Sequence, residues 1–197
     1  MEKRIVIRGI LIAYHEEGKG NEAIVFLHGW RSNGAVWRPL IDCLELNGKK
    51  LYSLDLPGFG MSEMPKERLT LGDYAGIVEG FVTAACPGSK TVLIGHSFGA
   101  RIGIKIAAQN PEWLERLVLV GSGGAPMNPA ERGMKKAIAK LMKPFFKARF
   151  MQPLRKKLYG MIGADDYVET PELKETFVSV IGEDIAPLYL RSDCGST

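Results

Sequence analysis

The sequence has few cysteines, no long apolar run and only a small excess of positive charge. Its three cysteines, Cys43, Cys86 and Cys194, lack the spacing of metal ligands, which predicts reduced thiols instead of a disulfide framework or a zinc site. No run reaches the roughly 18 apolar residues that a membrane span needs, and the N-terminus lacks the pattern of a secretory signal. A net charge of +4 is too small to indicate nucleic-acid binding. These absences predict a cytoplasmic protein with neither a membrane nor a nucleic-acid partner.

Apolar runs alternate with helical patterns up to residue 120, and this alternation predicts a mostly parallel α/β sheet with right-handed crossovers. Hydrophobic residues make up 46% of the 197 residues, enough to form a core without a metal or disulfide staple. The length fits one domain with an insertion better than two domains. We expect strands at 3–8, 10–15, 23–27, 50–54, 91–95 and 117–120, with helices at 35–46, 71–86 and 98–109.

Two local signals sharpen this outline. Gly9 separates the first two strands, which predicts a hairpin. Thr70 precedes the helix at 71–86, and Asp73 stands three residues later, where a capping box usually has glutamate. We therefore expect the Thr70 side chain to cap this helix.

After residue 125 the sequence changes to purely helical patterns, with pieces expected at 134–146, 151–162 and 171–181. We divide the chain into a partial core (1–125), a helical cap (126–190) and a tail (191–197). Within the cap, residues 131–157 include ten basic side chains and one acidic, whereas 165–184 include seven acidic and one basic. This distribution is typical of solvated helix faces, and it also fits attraction within or between chains or to an anionic membrane surface.

The pentapeptide GHSFG, residues 95–99, lies directly between a predicted strand and a predicted helix. Such an arrangement forces a sharp turn, which raises the Ser97 hydroxyl above the carboxyl edge of the sheet. The Phe98 N–H, at the helix start, is placed to bind a negatively charged oxygen. A second N–H is expected from the loop after the first buried strand, where Trp30 lies. The pattern predicts Ser97 as the catalytic nucleophile and Trp30 and Phe98 as the oxyanion-hole donors.

Four segments, FLHGW, LDLPGFGMS, LIGHSFGA and LVLVGSGG, resemble the α/β-hydrolase family in their order and spacing. The resemblance is dense over residues 4–125 and points to the esterase, C–C hydrolase and haloperoxidase-like branch. It implies a mostly parallel sheet with helices on both faces, an N-terminal β-hairpin and a helical cap. It also implies hydrolysis of a small-molecule carboxylic ester through an acyl-enzyme at Ser97, with no cofactor and no metal.

The acid and the histidine of the family's catalytic triad have no counterpart in this sequence. In the family both follow the nucleophile, but no histidine follows His96, and the loop at 122–124 has no carboxylate. The resemblance therefore implies that the last strands and helices of the family fold are missing and that hydrolysis is slow. His28 and His96 are the candidate substitute bases, although the family usually gives both positions structural roles. The ending DCGST fits a frameshift, a premature stop, a deliberate shortening or a naturally short protein.

Two other functions stay open. The protein could use the same pocket for binding without catalysis, or a separate polypeptide could supply the missing acid and histidine. Without the last strands, the strand at 117–120 would lie at the edge of the sheet with unpaired backbone groups. We therefore expect a homodimer or higher homo-oligomer that forms through this edge or through the cap.

Overall fold

Six strands form one mixed sheet. The computed structural model describes residues 1–44, 48–122 and 171–189. The strands are β1 (Glu2–Ile7), β2 (Ile10–Gly18), β3 (Glu22–Leu27), β4 (Lys49–Leu54), β5 (Thr91–His96) and β6 (Leu114–Val120), and their order in the sheet is β1-β2-β4-β3-β5-β6. β2 pairs antiparallel with both β1 and β4, whereas β4, β3, β5 and β6 run parallel. The predicted mostly parallel sheet with an N-terminal hairpin is confirmed.

The helices of the described residues pack on both faces of this sheet. They are α1 (Arg38–Ile41), α2 (Leu71–Ala85), α3 (Phe98–Ala107), α4 (Lys174–Gly182) and α5 (Ala186–Tyr189), with short 3₁₀ turns at Gly34–Trp37 and Pro171–Leu173. Side chains of a strand alternate between the two faces of a sheet. Val25 and Leu93 are therefore buried with α2 and α3, whereas Phe26 packs on Trp37 beside α1.

The hairpin turns where the sequence predicts it. Arg8 and Gly9 both have positive φ, at 50° and 78°, and Ile7 pairs directly with Ile10 across the turn. Two central residues with positive φ define the type I′ turn, which matches the twist of the flanking strands. Glycine adopts this conformation without steric cost, which is why Gly9 is an informative signal.

The capping box at the start of α2 is also present. The Thr70 hydroxyl oxygen accepts a hydrogen bond from the Asp73 N–H at 3.1 Å, and the Asp73 carboxylate accepts one from the Thr70 N–H at 2.8 Å. The Thr70 hydroxyl also donates to the Asp73 carboxylate at 2.6 Å, and this bond together with the one from the Thr70 N–H holds the pKa of the Asp73 carboxyl below its usual value. The box thus satisfies two backbone donors that the helix itself leaves without partners.

Three elements differ from the sequence prediction by three residues or more, and the first is β2, which continues to Gly18 instead of ending at residue 15. Instead of one helix over 35–46, the chain forms the 3₁₀ turn and then α1, which ends at Ile41. The Asn33 side chain accepts a hydrogen bond from the Ala35 N–H at 3.0 Å, and Pro39 in the first turn of α1 has no N–H to donate. β6 begins at Leu114, three residues before the predicted start. The prediction relied on the apolar run, but an outer strand also accommodates the exposed polar residues 115 and 116.

Most of the predicted cap lies outside the described residues, including the pieces expected at 134–146 and 151–162, as does the tail at 191–197. The helix expected at 171–181 is present as the second 3₁₀ turn and α4. None of the helices in the described ranges combines the length and apolar character that crossing a bilayer requires.

Replacing Thr70 by alanine should lower the free energy of unfolding by about 1 kcal/mol, because α2 loses its N-terminal side-chain acceptor. Chemical denaturation measures this change. Thr83→Ala is the matched control, since the Thr83 hydroxyl donates only to the Glu79 carbonyl within the exposed part of α2. A control that loses as much stability as Thr70→Ala would contradict the capping role.

Self-association should depend on β6. This strand is one of the two outer strands of the described sheet, and its Val118 and Val120 side chains are 43% and 41% exposed. An outer strand with exposed apolar side chains is a template for pairing with another chain, and we propose that two copies pair there. Changing both valines to lysine should then shift the protein toward monomer in size-exclusion chromatography with light scattering.

The control for this experiment is Val36→Lys, at a site that is 52% exposed on the 3₁₀ turn before α1. It adds a lysine at an exposed valine away from β6 and should leave the association state unchanged. A wild-type protein that is monomeric at micromolar concentration would contradict pairing through β6.

Candidate active site

Ser97 lies in the sharp turn between β5 and α3, in a backbone conformation that residues other than glycine rarely adopt. Its φ is 49° and its ψ is −101°. Such a conformation costs about 1–3 kcal/mol and persists only when the surroundings hold it in place. The Ser97 N–H donates to the Val120 carbonyl at 3.0 Å, and the Ser97 carbonyl accepts from the Arg101 N–H at 3.2 Å. The strained turn is therefore fixed by β6 on one side and by the first turn of α3 on the other.

Two glycines leave the space that this turn occupies. A Cβ atom on Gly95 would lie 2.6 Å from the backbone of Gly99, and a Cβ atom on Gly99 would overlap the Leu27 carbonyl oxygen. Real Cβ contacts essentially never come so close, so a side chain at either position would displace the backbone around Ser97. The spacing of the two glycines in GHSFG thus has a steric cause in the fold.

The two predicted oxyanion donors flank Ser97. Phe98 is the first residue of α3, where the N–H groups have no partner within the helix. The loop that carries Trp30 passes directly beside the turn, since a Cβ atom on Gly29 would lie 3.6 Å from the Ser97 Cβ. The Gly99 N–H donates to the His28 carbonyl at 3.1 Å and holds this loop against α3. Within the described ranges, the N–H groups of Trp30 and Phe98 have no hydrogen-bond partner, so both are free to bind an oxyanion.

His28 is fully buried and holds two loops together. Its Nδ1–H donates to the Gly29 carbonyl at 2.7 Å, and its Nε2 accepts from the Leu56 N–H at 2.9 Å. Burial lowers the pKa of the imidazole, which is consistent with a neutral ring that donates at one nitrogen and accepts at the other. Because both nitrogens are engaged, His28 has no lone pair left to take a proton from Ser97. This geometry argues against His28 as the substitute base.

His96 has a different environment. Its side chain is exposed, and its ring lies between two glycines: a Cβ atom on Gly29 would be 2.7 Å from Nδ1, and one on Gly121 would be 3.7 Å from Nε2. The third histidine, His15, is on β2, where its ring contacts Glu17 and the guanidinium of Arg38. Both His28 and His96 lie next to the Ser97 turn. Of these two, only His96 has a ring that makes no backbone hydrogen bond within the described residues.

Asp55, at the end of β4, joins the remaining loops of this edge. One carboxylate oxygen accepts from the Gly34 N–H at 2.7 Å, and the other accepts from the Met61 N–H at 2.7 Å. A Cβ atom on Gly60 would overlap the carboxylate. Asp55 is thus surrounded by the amides of the two loops that it connects, which gives this residue of the LDLPGFGMS segment an architectural role.

The sequence prediction did not include an aromatic cluster next to the turn. The Trp30 ring lies 5.1 Å from Phe98, 4.9 Å from Phe59 and 5.0 Å from Phe177, and Phe98 also contacts Tyr74 at 4.9 Å. Phe177 comes from α4, far along the chain, and no local pattern links it to the GHSFG segment. In the described ranges, no group of three or more His, Cys, Asp or Glu side chains is placed to hold a metal ion.

Acid should destabilise the fold through His28. The pKa of this imidazole is lowered from 6.5 in the folded state, so below that pH the unfolded chain binds more protons. The free energy of unfolding should fall as the pH drops from about 7 to about 5, with a slope of at most about 1.4 kcal/mol per pH unit from this group. Chemical denaturation across this range measures the slope.

His28→Gln should be less stable at neutral pH but should lose part of the slope. His15→Gln, at a partly exposed site, is the control and should keep the wild-type slope. An unchanged slope in His28→Gln would show that other groups cause the acid sensitivity.

Similar sequences match somewhat more than half of this chain. The pimeloyl-[acyl-carrier protein] methyl ester esterase of Wigglesworthia glossinidia brevipalpis is 35% identical over 105 residues, which are 53% of this chain and 38% of that protein. The 2-(acetamidomethylene)succinate hydrolase of Mesorhizobium japonicum is 31% identical over 121 residues, 61% of this chain and 42% of that protein. The chain therefore spans less than half the length of these relatives.

The fold and the family description agree with this similarity. The haloalkane dehalogenase DatA of Agrobacterium tumefaciens C58 aligns with 98% of this chain and 73% of its own, with a TM-score of 0.65 and 21% identity, which supports a shared fold. A family model described as the alpha/beta hydrolase fold matches residues 22–186, which are most of the chain. The strand–turn–helix geometry at Ser97 lies within this match, and the chain belongs to the α/β-hydrolase family.

Proposed function

We propose that the protein hydrolyses small carboxylic esters through an acyl-enzyme at Ser97. The observation that carries this proposal is the strained Ser97 turn, which is followed directly by Phe98 at the start of α3 and has the Gly29–Trp30 loop beside it. A strained residue is retained when the surrounding structure over-determines it, and such residues cluster at functional sites. The curated relatives are named as esterases and hydrolases, which supports hydrolytic chemistry for this chain.

In the proposed acylation step, the Ser97 oxygen forms a bond to the ester carbonyl carbon while its proton passes to a base. The electron pair of the C=O double bond moves onto the carbonyl oxygen, and the N–H groups of Trp30 and Phe98 stabilise this oxyanion. When the tetrahedral intermediate collapses, the bond to the leaving oxygen breaks and the alcohol departs with the proton. Water then attacks the acyl-enzyme in the same way, which releases the carboxylic acid and restores Ser97.

The base is the weak point of this site. His28 has both nitrogens engaged, which leaves His96 as the candidate among the histidines. Without an oriented histidine and its acid, serine is a poor nucleophile at neutral pH. Oxyanion stabilisation and binding alone can still leave about 10³–10⁴-fold catalysis over water in well-studied triads. We therefore propose slow turnover, with activated esters as the best substrates.

The relatives suggest the kind of ester. The pimeloyl-[acyl-carrier protein] methyl ester esterase is named for a methyl ester on a long acyl chain. By analogy, we propose that this protein accepts esters of small alcohols such as methanol. The acyl side is where the aromatic cluster around Trp30 would contribute apolar surface.

A binding protein without catalysis is the alternative, and one observation favours it. Both ring nitrogens of His28 serve backbone groups, so this histidine next to the Ser97 turn does not act as a base. In that case Ser97 would keep the turn inherited from the family, and the pocket would bind a ligand without cleaving it.

Short-chain p-nitrophenyl esters distinguish the two functions. The wild type should release p-nitrophenol and should gain an acyl mass on Ser97 in intact-protein mass spectrometry, whereas Ser97→Ala should do neither. Ser89→Ala is the matched serine control and should behave as the wild type, because Ser89 lies in the turn before β5, at the other end of this strand from Ser97. The same assay on His96→Gln tests the base, because loss of a base slows acylation without removing the nucleophile.

Equal release by the wild type and Ser97→Ala, with no acyl mass on either, would refute catalysis at Ser97. Binding would then be the function to pursue. An acyl mass that forms quickly but persists would place the slow step at hydrolysis of the acyl-enzyme.

A further inference from the structure

Helix α4 is fixed on the core close to the Ser97 turn. Just before α4, the Leu173 side chain packs on Gly58, where a Cβ atom would lie 2.9 Å from a Leu173 methyl. The Thr176 hydroxyl oxygen accepts from the Leu69 N–H at 3.1 Å, and Val180 is buried in the main core. One face of α4 is therefore bound to the loop between β4 and α2, at the carboxyl edge of the sheet.

The other end of α4 is held by α3, the helix that begins at the turn. The Arg101 guanidinium donates to the carbonyls of Val180 and Glu183 at 2.9 and 2.6 Å. The Lys105 ammonium, one turn further along α3, donates to the Glu183 carboxylate at 2.5 Å. Because both ends are attached, the position of α4 relative to Ser97 is set by several independent contacts.

Phe177 is the residue of α4 that reaches the aromatic cluster. Its ring lies 5.0 Å from Trp30, whereas Val178 and Ile181 on the same helix are 51% and 55% exposed. Phe59 and Phe98 are buried beneath Trp30, so within this cluster the partly exposed surface belongs to Trp30 and Phe177. The indole nitrogen of Trp30 is buried without a hydrogen-bond partner in the described ranges, so the accessible indole surface is carbon.

We propose that Phe177 and Trp30 form an aromatic wall that selects aromatic or extended apolar acyl groups over acetyl. The location rests on the proposed function, because the Trp30 N–H is the donor that would bind the ester carbonyl oxygen. A carbonyl at that N–H brings the adjacent acyl carbons to the side chain of the same residue and to its neighbour Phe177. Apolar groups gain there by leaving water, and flat rings gain further from offset or edge contacts with the two aromatic rings.

Binding to Ser97→Ala tests the wall without requiring turnover. Calorimetric titration with ethyl phenylacetate and ethyl acetate gives the ratio of their dissociation constants. We expect ethyl phenylacetate to bind about tenfold more tightly, the low end of what one apolar group contributes in a pocket. Adding Phe177→Ala should bring the ratio close to one, and adding Val178→Ala, one residue away on the exposed face of α4, should leave it unchanged.

A purely structural role for Phe177 would lower stability without changing this ratio. Phe177→Leu keeps apolar volume on the core while removing the ring, so it should fold with a Tm close to that of the parent and still lower the ratio. The wall is refuted if neither ester binds to Ser97→Ala, if both Phe177 variants keep the ratio, or if Val178→Ala changes it equally. A wild type that does not hydrolyse esters, together with a ratio that depends on Phe177, would refute the proposed function and support the wall.

Discussion

The turn at Ser97 requires that two backbone segments approach more closely than side chains allow. Gly95 and Gly99 leave that space, and Leu27 at the end of the neighbouring strand occupies part of it. The positive φ of Ser97 follows from this close approach, as do the position of the unpartnered Phe98 N–H and the contact between α3 and β3. The position of the candidate nucleophile and one of its oxyanion donors therefore have a single steric origin, and the α/β-hydrolase membership of the chain is consistent with it.

Around this turn, the connections that follow β3 and β4 at the carboxyl ends of these strands are joined by buried or half-buried polar side chains. His28 links the loop after β3 to the loop after β4, and Asp55 links the latter to the start of the 3₁₀ turn before α1. Each of these groups has its hydrogen-bonding capacity used, which is the condition under which burial of a polar group is tolerated. The same completeness explains why His28 is chemically unavailable although it lies close to Ser97.

Much of this architecture could be predicted from local sequence. The GHSFG segment, the hairpin at Gly9 and the Thr70 capping box each depend on residues a few positions apart, so their patterns are visible without the fold. The predicted length of the helix at 35–46 was wrong because Asn33 and Pro39 favour a tight first turn over a continuous helix. The spacing of hydrophobic residues does not reveal this preference. The contact between Trp30 and Phe177 could not be predicted, since it joins residues that are distant in sequence and share no pattern. The two roles considered for His28 could be separated only once the partners of both ring nitrogens were known.

Arg101 connects two parts of the molecule that are far apart in the sequence. Its backbone N–H donates to the Ser97 carbonyl, and its guanidinium donates to two carbonyls at the end of α4. Release of α4 would remove the contacts that order this side chain and would weaken the first turn of α3. The amides of α4 and of that first turn should therefore exchange with solvent as one cooperative unit, with a shared opening free energy. The position of α4 and the order of the Ser97 backbone are in this way thermodynamically linked.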